Sequence, residues 1–203
     1  MIQRASDIAL AAGVRTRDTL RIIEAVADTG ATVVLMTYWN PVERYGVDAF
    51  ARDLAAAGAT GMITPDLIPD EADEWLAASE KHGLDRIFLV APSSTEERIA
   101  STTAASSGFV YATSVMGVTG ARDSVNSAAG EIVGRTRPHT SLPIGVGLGV
   151  RNGDQAAEIA AFADAVIVGS AFVTAAEQGG VEGVRGLAQD LAAGVGRAGL
   201  PQT

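Results

Sequence analysis

Gly145-Val146-Gly147-Leu148-Gly149-Val150, and further on Val166-Ile167-Val168-Gly169-Ser170-Ala171-Phe172-Val173, are the two stretches on which the fold turns. In each, a short apolar run ends in glycine and gives way to a helical pattern. Parallel β/α barrels often hold a phosphate with the loops after strands 7 and 8 and the N-terminus of a short extra helix. Glycine lets the backbone approach the anion, and the helix dipole favours negative charge there. Gly169-Ser170 would open that helix, with Ser170 able to donate both N–H and hydroxyl. The plainer reading is that these glycines only make tight strand-to-helix turns.

Working outward, six β-type runs stand out: Thr32–Tyr38, Gly61–Thr64, Arg86–Ala91, Phe109–Thr113, Pro143–Gly147 and Ala165–Val168. They are rich in Val, Ile, Leu or Phe without strict alternation, as in strands buried on both faces of a parallel sheet. Helical patterns separate them. Leu20, Ile23 and Ala27 mark one apolar stripe, and Phe50, Leu54 and Ala57 another. Helix starts are signalled by Thr16 ahead of Asp18, by Pro69-Asp70-Glu71 and by Thr95-Glu96-Glu97. Gly30, Gly58 and Gly83 close helices where a left-handed residue is wanted.

This βα alternation means a parallel sheet, either an open doubly wound one or a barrel. An open sheet gathers function at one switch point, whereas a barrel uses the loop after nearly every strand. Here distinctive residues follow almost every run, including Tyr38-Trp39-Asn40-Pro41, Pro65-Asp66, Pro92-Ser93-Ser94 and Ser114–Gly120. The expectation is a single α/β domain over residues 1–203, of (β/α)8 TIM-barrel type. Such barrels have eight strands in about 250 residues. Only six runs are visible, preceded by the helical segments Ile2–Ala12 and Thr16–Thr29, so the first two strands are expected to be missing. Runs 32–38 and 165–168 would then be open edges.

Bulk properties narrow the function. The chain has no cysteine, which rules out disulfides, thiolate nucleophiles and cysteine-bound zinc. A net charge of −9 argues against nucleic acid, whose backbone needs a basic face. One phosphate can still be held locally by backbone N–H groups. No apolar run approaches a membrane span and no secretory h-region opens the chain, so a cytoplasmic protein is expected. No metal-ligand spacing appears. His82, at a helix C-terminus, and His139, beside Pro138, have quiet structural explanations. Ser114-Val115-Met116-Gly117-Val118-Thr119-Gly120-Ala121-Arg122 lies in the longest interval between runs and reads as a lid or as an exposed insertion.

Taken in order, Met36-Thr37-Tyr38-Trp39-Asn40-Pro41, Arg44-Tyr45-Gly46, Pro65-Asp66-Leu67, Phe88-Leu89-Val90-Ala91-Pro92, Gly108-Phe109-Val110-Tyr111, Gly117-Val118-Thr119-Gly120, Gly147-Leu148-Gly149 and Val168-Gly169-Ser170 resemble the tryptophan synthase alpha chain family over nearly the whole sequence. That family splits indole-3-glycerol phosphate into indole and glyceraldehyde 3-phosphate by a retro-aldol reaction, and a beta chain using pyridoxal phosphate consumes the indole. The resemblance implies that Gly120, Gly149, Gly169 and Ser170 contact phosphate. It places Met36, Leu89, Tyr111 and Leu148 around the indole ring and Thr119 in the lid. It also implies a beta-chain partner in an α2β2 assembly, through loops that include 115–125, and no cofactor of the chain's own. Leu148 departs from the Phe of many members, which keeps the pocket apolar but removes an aromatic contact. The family's acid–base pair is a Glu at the end of the second strand and an Asp in the loop after it. Both would fall before Met1, so catalysis by residues 1–203 alone is in doubt. Asp66 is left as a weak catalytic candidate, with a supporting role at the mobile loop or a helix-capping role as its other readings. Two further functions stand beside the lyase: a non-catalytic remnant that binds phosphate ligands or a beta chain, and a sugar-phosphate isomerase or epimerase.

Overall fold

A computed structural model describes residues 2–113, 122–147 and 149–198, with backbone alone for 122–127. Helices α1 (Ile2–Ala11) and α2 (Thr16–Ala27) come first. Then follow β1 (Val33–Met36), α3 (Trp39–Tyr45), α4 (Val47–Ala56), β2 (Ala59–Ile63), α5 (Asp73–His82), β3 (Asp85–Ile87) and β4 (Leu89–Val90). The rest is α6 (Glu96–Ala105), β5 (Val110–Thr113), α7 (Arg122–Thr136), β6 (Ile144–Gly147), α8 (Gly153–Ala160), β7 (Ala165–Ile167) and α9 (Ser170–Arg197). The chain divides into two compact units, Ala9–Leu89 with Thr95–Val110, and Met1–Ile8 with Val90–Ser94 and Tyr111–Thr203.

In the first unit β1, β2 and β3 pair side by side, all parallel. β2 is buried except at Thr60, as its apolar run requires, while β1 is a half-buried edge whose Met36 is 52% exposed. The core gathers Phe50 and Leu54 of α4, Met62 of β2, Trp75 of α5 and Phe88, with Ile23 of α2. Side chains of this kind stabilise by roughly 1.5–3 kcal/mol each when fully buried. The Tyr45 ring meets Phe50 edge-on at 5.4 Å and its hydroxyl donates to Asp53 at 2.7 Å. Helix ends follow local chemistry. Arg15 N–H donates to the Asp18 carboxylate at 2.9 Å, so α2 begins at Thr16 itself with Arg15 outside it. Thr95 accepts from Arg98 N–H at 3.3 Å, and Gly83 ends α5 in the left-handed conformation. Pro69–Glu71 forms a single 3-10 turn rather than the first turn of α5.

The run Arg86–Ala91 is not one strand. β3 completes the first sheet and β4 starts a second, ordered β4-β5-β6-β7, with Phe88 between them. The run is apolar throughout because Ile87, Phe88 and Val90 are all buried, although the ladder partner changes from β2 to β5. Hydrophobicity records burial and is blind to which neighbour is paired.

In the second unit β6 and β7 are parallel, with Gly147 opposite Ile167. Asp164, just before β7, accepts from Arg137 at 2.6 Å and from Ile144 N–H at 2.8 Å. Burial works to raise its pKa, but these two partners outweigh it and hold the carboxyl below the ordinary range. α8 lies against α9 at very short range. A Cβ on Gly194 would sit 1.9 Å from the Gly153 carbonyl oxygen, and one on Gly153 would sit 2.3 Å from that of Asp190.

Two substitutions of opposite sign check this packing. Gly194→Ala forces the α8–α9 backbones apart and is expected to destabilise by about 1–3 kcal/mol. Gly134→Ala, at an exposed position of α7 with open space around it, is expected to stabilise by about 0.5–1 kcal/mol. Chemical denaturation of the two variants reads both, and equal midpoints would contradict the packing described.

Candidate anion-binding site

Parallel pairing brings the C-terminal ends of β6 and β7 level, because Gly147 and Ile167, each the last residue of its strand, lie opposite one another. The loops that follow therefore leave side by side, one carrying Gly149 and the other Gly169. Gly149 has φ +66°, a left-handed conformation that side-chain-bearing residues resist, and it is exposed. Gly169 is also exposed, and a Cβ built on it would meet no atom within 4 Å. Its carbonyl accepts from Phe172 N–H at 3.0 Å and Val173 N–H at 3.3 Å, closing the first turn of α9. Ser170 is the first residue of that helix and half-buried. The N–H groups that open a helix have no partner within it, so this end presents donors and a positive dipole.

α9 breaks at Gly180 (φ 55°, ψ −142°), so the helix that begins at Ser170 is a short one followed by a second segment. Asp190, on the second segment, accepts from Gly153 N–H at 2.7 Å and fixes the start of α8. Asn152 caps the same helix by accepting from Gln155 N–H at 3.0 Å, and Gln155 returns the bond to Arg151 N–H at 2.7 Å. This reciprocal pair ties down the chain just after Gly149. Beside Ser170 lies an open cavity of about 400 Å³ lined by Arg151, Ser170, Ala171, Thr174, Gln178 and Leu187, among others.

Tyr111 of β5 belongs to this unit. A Cβ on Gly147 would lie 2.1 Å from the Tyr111 hydroxyl, so the phenol occupies the space that glycine leaves open. Burial raises the Tyr111 pKa above the ordinary tyrosine value.

The other expected residues fall differently. Gly120, Thr119 and Leu148, with the 115–121 part of the loop, lie outside the described residues. Met36, exposed at the end of β1, and Leu89, half-buried in β4, belong to the first unit. There Asp66 is exposed in the segment after β2, and both its carboxylate oxygens accept from Trp39 N–H, at 2.9 and 3.1 Å. It caps α3, the helix Trp39 opens, and not the turn at Pro69. Trp39 is thus helical, where a loop was expected. His82 packs against Asp48, Nε2 to Oδ1 3.0 Å, and His139 is exposed in a 3-10 turn. Among the described residues no group of three or more His, Cys, Asp or Glu is placed to hold a metal, and no helix is long and apolar enough to cross a membrane. Arg151, Thr174 and Gln178 were not singled out from sequence. Ser170, Thr174 and Gln178 recur every four residues, a polar stripe on one helical face that would have pointed to them.

A protein of parallel strands alternating with helices, with paired glycine loops at adjacent strand ends, belongs to the parallel β/α class. The sequence profile of the tryptophan synthase alpha chain matches residues 1–196. The tryptophan synthase alpha chain of Mycobacterium avium is 65% identical over 194 residues, 96% of this chain and 72% of that protein. That of Mycobacterium tuberculosis strain H37Ra is 66% identical over the same shares. A solved structure of Mycobacterium tuberculosis tryptophan synthase superposes with a TM-score of 0.89 at 64% identity, covering 96% of this chain and 74% of that one. The chain belongs to the tryptophan synthase alpha chain family, TIM-barrel lyases of tryptophan biosynthesis.

Asp66→Ala is expected to lower stability by about 0.5–2 kcal/mol through loss of the α3 cap, while Asp66→Asn keeps most of it. A melt of both variants distinguishes capping from a merely solvated carboxylate. For Tyr111 the folded pKa is raised, so folding holds the phenolic proton more tightly than the unfolded chain does. Stability from this group is present below the ordinary value of 10.0 and lost as pH rises through the folded value. Tyr111→Phe should flatten the alkaline loss of stability and remove one late-titrating phenol from the absorbance titration.

Proposed function

We propose that the chain acts on indole-3-glycerol phosphate, holding its phosphate at Gly149, Gly169 and Ser170 during retro-aldol cleavage to indole and glyceraldehyde 3-phosphate. The observation that carries this reading is the level pairing of β6 and β7, which sets two glycine loops and one helix N-terminus side by side. Gly120 joins this set on the strength of the resemblance. Tyr111, Met36, Leu89 and Leu148 are proposed for the indole ring, and Thr119 for the lid.

In the cleavage a carbon–carbon bond breaks between the ring and the glycerol chain. The ring carbon gains a proton, and the hydroxyl on the departing carbon loses one as it becomes the aldehyde carbonyl. An acid and a base are required. Asp66 is proposed as neither, because Trp39 N–H engages both of its oxygens and makes it a positioning group. The phosphate grip holds substrate and transition state alike, so its contribution is orientation of the reacting bond. The proposed partner is a tryptophan synthase beta chain in an α2β2 assembly, which would receive the indole. A cytoplasmic setting belongs to the same proposal.

Gly169→Asp tests the site. Its side chain meets no protein atom within 4 Å of the Cβ, so the fold should survive, yet it puts a negative charge where the phosphate is proposed to sit. Calorimetric titration with indole-3-glycerol phosphate and glycerol 3-phosphate should show binding to the wild type and none to the variant, at unchanged melting temperature. Equal affinity in both would remove the site. Affinity for glycerol 3-phosphate as high as for the indole compound would remove the ring pocket.

A further inference from the structure

The proposed phosphate contacts are backbone N–H groups and a hydroxyl, none of them formally charged, in a protein of net charge −9. Among the described residues one formal cation borders the same space. Arg151 and Ser170 line one cavity of about 400 Å³, and Arg151 is the sole ionisable residue among the described residues lining it. Its backbone is pinned by Gln155 Oε1 at 2.7 Å, one residue before the Asn152 cap, so its Cα is held at a defined place next to the Gly149 loop. Its side chain is exposed, and among the described residues no ion pair engages the guanidinium. Two acids on the flanking helices are already engaged: Asp154 with Arg197 at 2.6 Å, and Glu177 with Arg4. They do not compete for Arg151.

We infer that Arg151 is a specificity-determining residue of the site, its guanidinium pairing with the substrate's phosphate and favouring the dianion over the monoanion. The inference rests on the phosphate reading of Gly149, Gly169 and Ser170 and adds to it a charged partner from the cavity wall. Guanidinium geometry suits two oxygens of one phosphate, a match that an ammonium does not reproduce. Thr174 and Gln178 continue the polar face of α9 along the cavity, leaving the anion one strong counter-charge and a polar wall.

An exposed pair of this kind contributes up to about fivefold in affinity and weakens with salt, whereas backbone amides at a helix end depend less on ionic strength. The test is calorimetric titration with inorganic phosphate and with glycerol 3-phosphate, at low and high salt. The glycerol 3-phosphate titrations are repeated below and above the second ionisation of a phosphate monoester, about pH 6. Arg151→Gln, Arg151→Lys and Gly169→Asp are compared with the wild type. Arg151→Gln is expected to lose about fivefold in affinity at low salt, with a reduced salt slope and a smaller gain from the dianion. Arg151→Lys should recover part of both, and neither change should move the melting temperature. Equal affinity, salt slope and pH dependence in wild type and Arg151→Gln would overturn the role of Arg151 while leaving the phosphate site standing. Absence of phosphate binding in the wild type would overturn the site itself.

Discussion

The candidate site depends on the parallel ladder between β6 and β7. Antiparallel neighbours would send their following loops to opposite ends of the sheet, and a register slip would stagger them. With Gly147 opposite Ile167, both strands stop together and both chains turn into helix-forming segments at one end. The polar groups of the candidate site are then backbone N–H groups and the Ser170 hydroxyl, with Arg151 beside them, rather than a cluster of charged side chains. Under the proposed phosphate reading, that arrangement would let a protein of net charge −9 hold an anion locally without a basic surface.

What could be read in the sequence follows from the same backbone logic. The apolar run ending in Gly147 marked its strand end and the one ending in Val168 overran its strand by one residue, because burial writes a continuous hydrophobic signal that does not stop with the ladder. The helix after Gly169 was legible from glycine and serine alone. The break at Phe88 was not, since Ile87, Phe88 and Val90 are buried on either side of the change of partner. Trp39 was misplaced because its helix is capped by Asp66, twenty-seven positions away, and no local pattern encodes a cap supplied from another loop. Arg151 escaped notice for a related reason. An isolated arginine after a glycine loop carries no motif, and its meaning comes from the cavity it shares with Ser170.

Tyr111 and Gly147 illustrate a constraint that sequence states only in half. A glycine before Leu148 suggests backbone freedom, yet Gly147 ends an ordinary strand and its φ is not left-handed. Its lack of a side chain instead makes room for the Tyr111 hydroxyl on the neighbouring strand. The glycine is steric, the tyrosine fills the space, and burial of that phenol is what raises its pKa.

The second segment of α9 extends this reasoning from the site to its support. The helix that Ser170 opens is short, because Gly180 ends it with backbone angles that a continuous helix does not allow. The chain then doubles close to itself, since a Cβ on Gly183 would lie 2.5 Å from the Ala175 carbonyl oxygen. The following segment brings Asp190 to Gly153 N–H and Gly194 against the Gly153 carbonyl. One helix thus supplies the N-terminus at the candidate site and, past its break, the anchor for α8, whose capping residues hold the loop carrying Gly149. The two loops of the site are positioned by a single chain segment as well as by the β6–β7 ladder. The glycine contact is thus joined to the Gly149 loop by a continuous run of contacts through Gly153, Asn152 and Arg151.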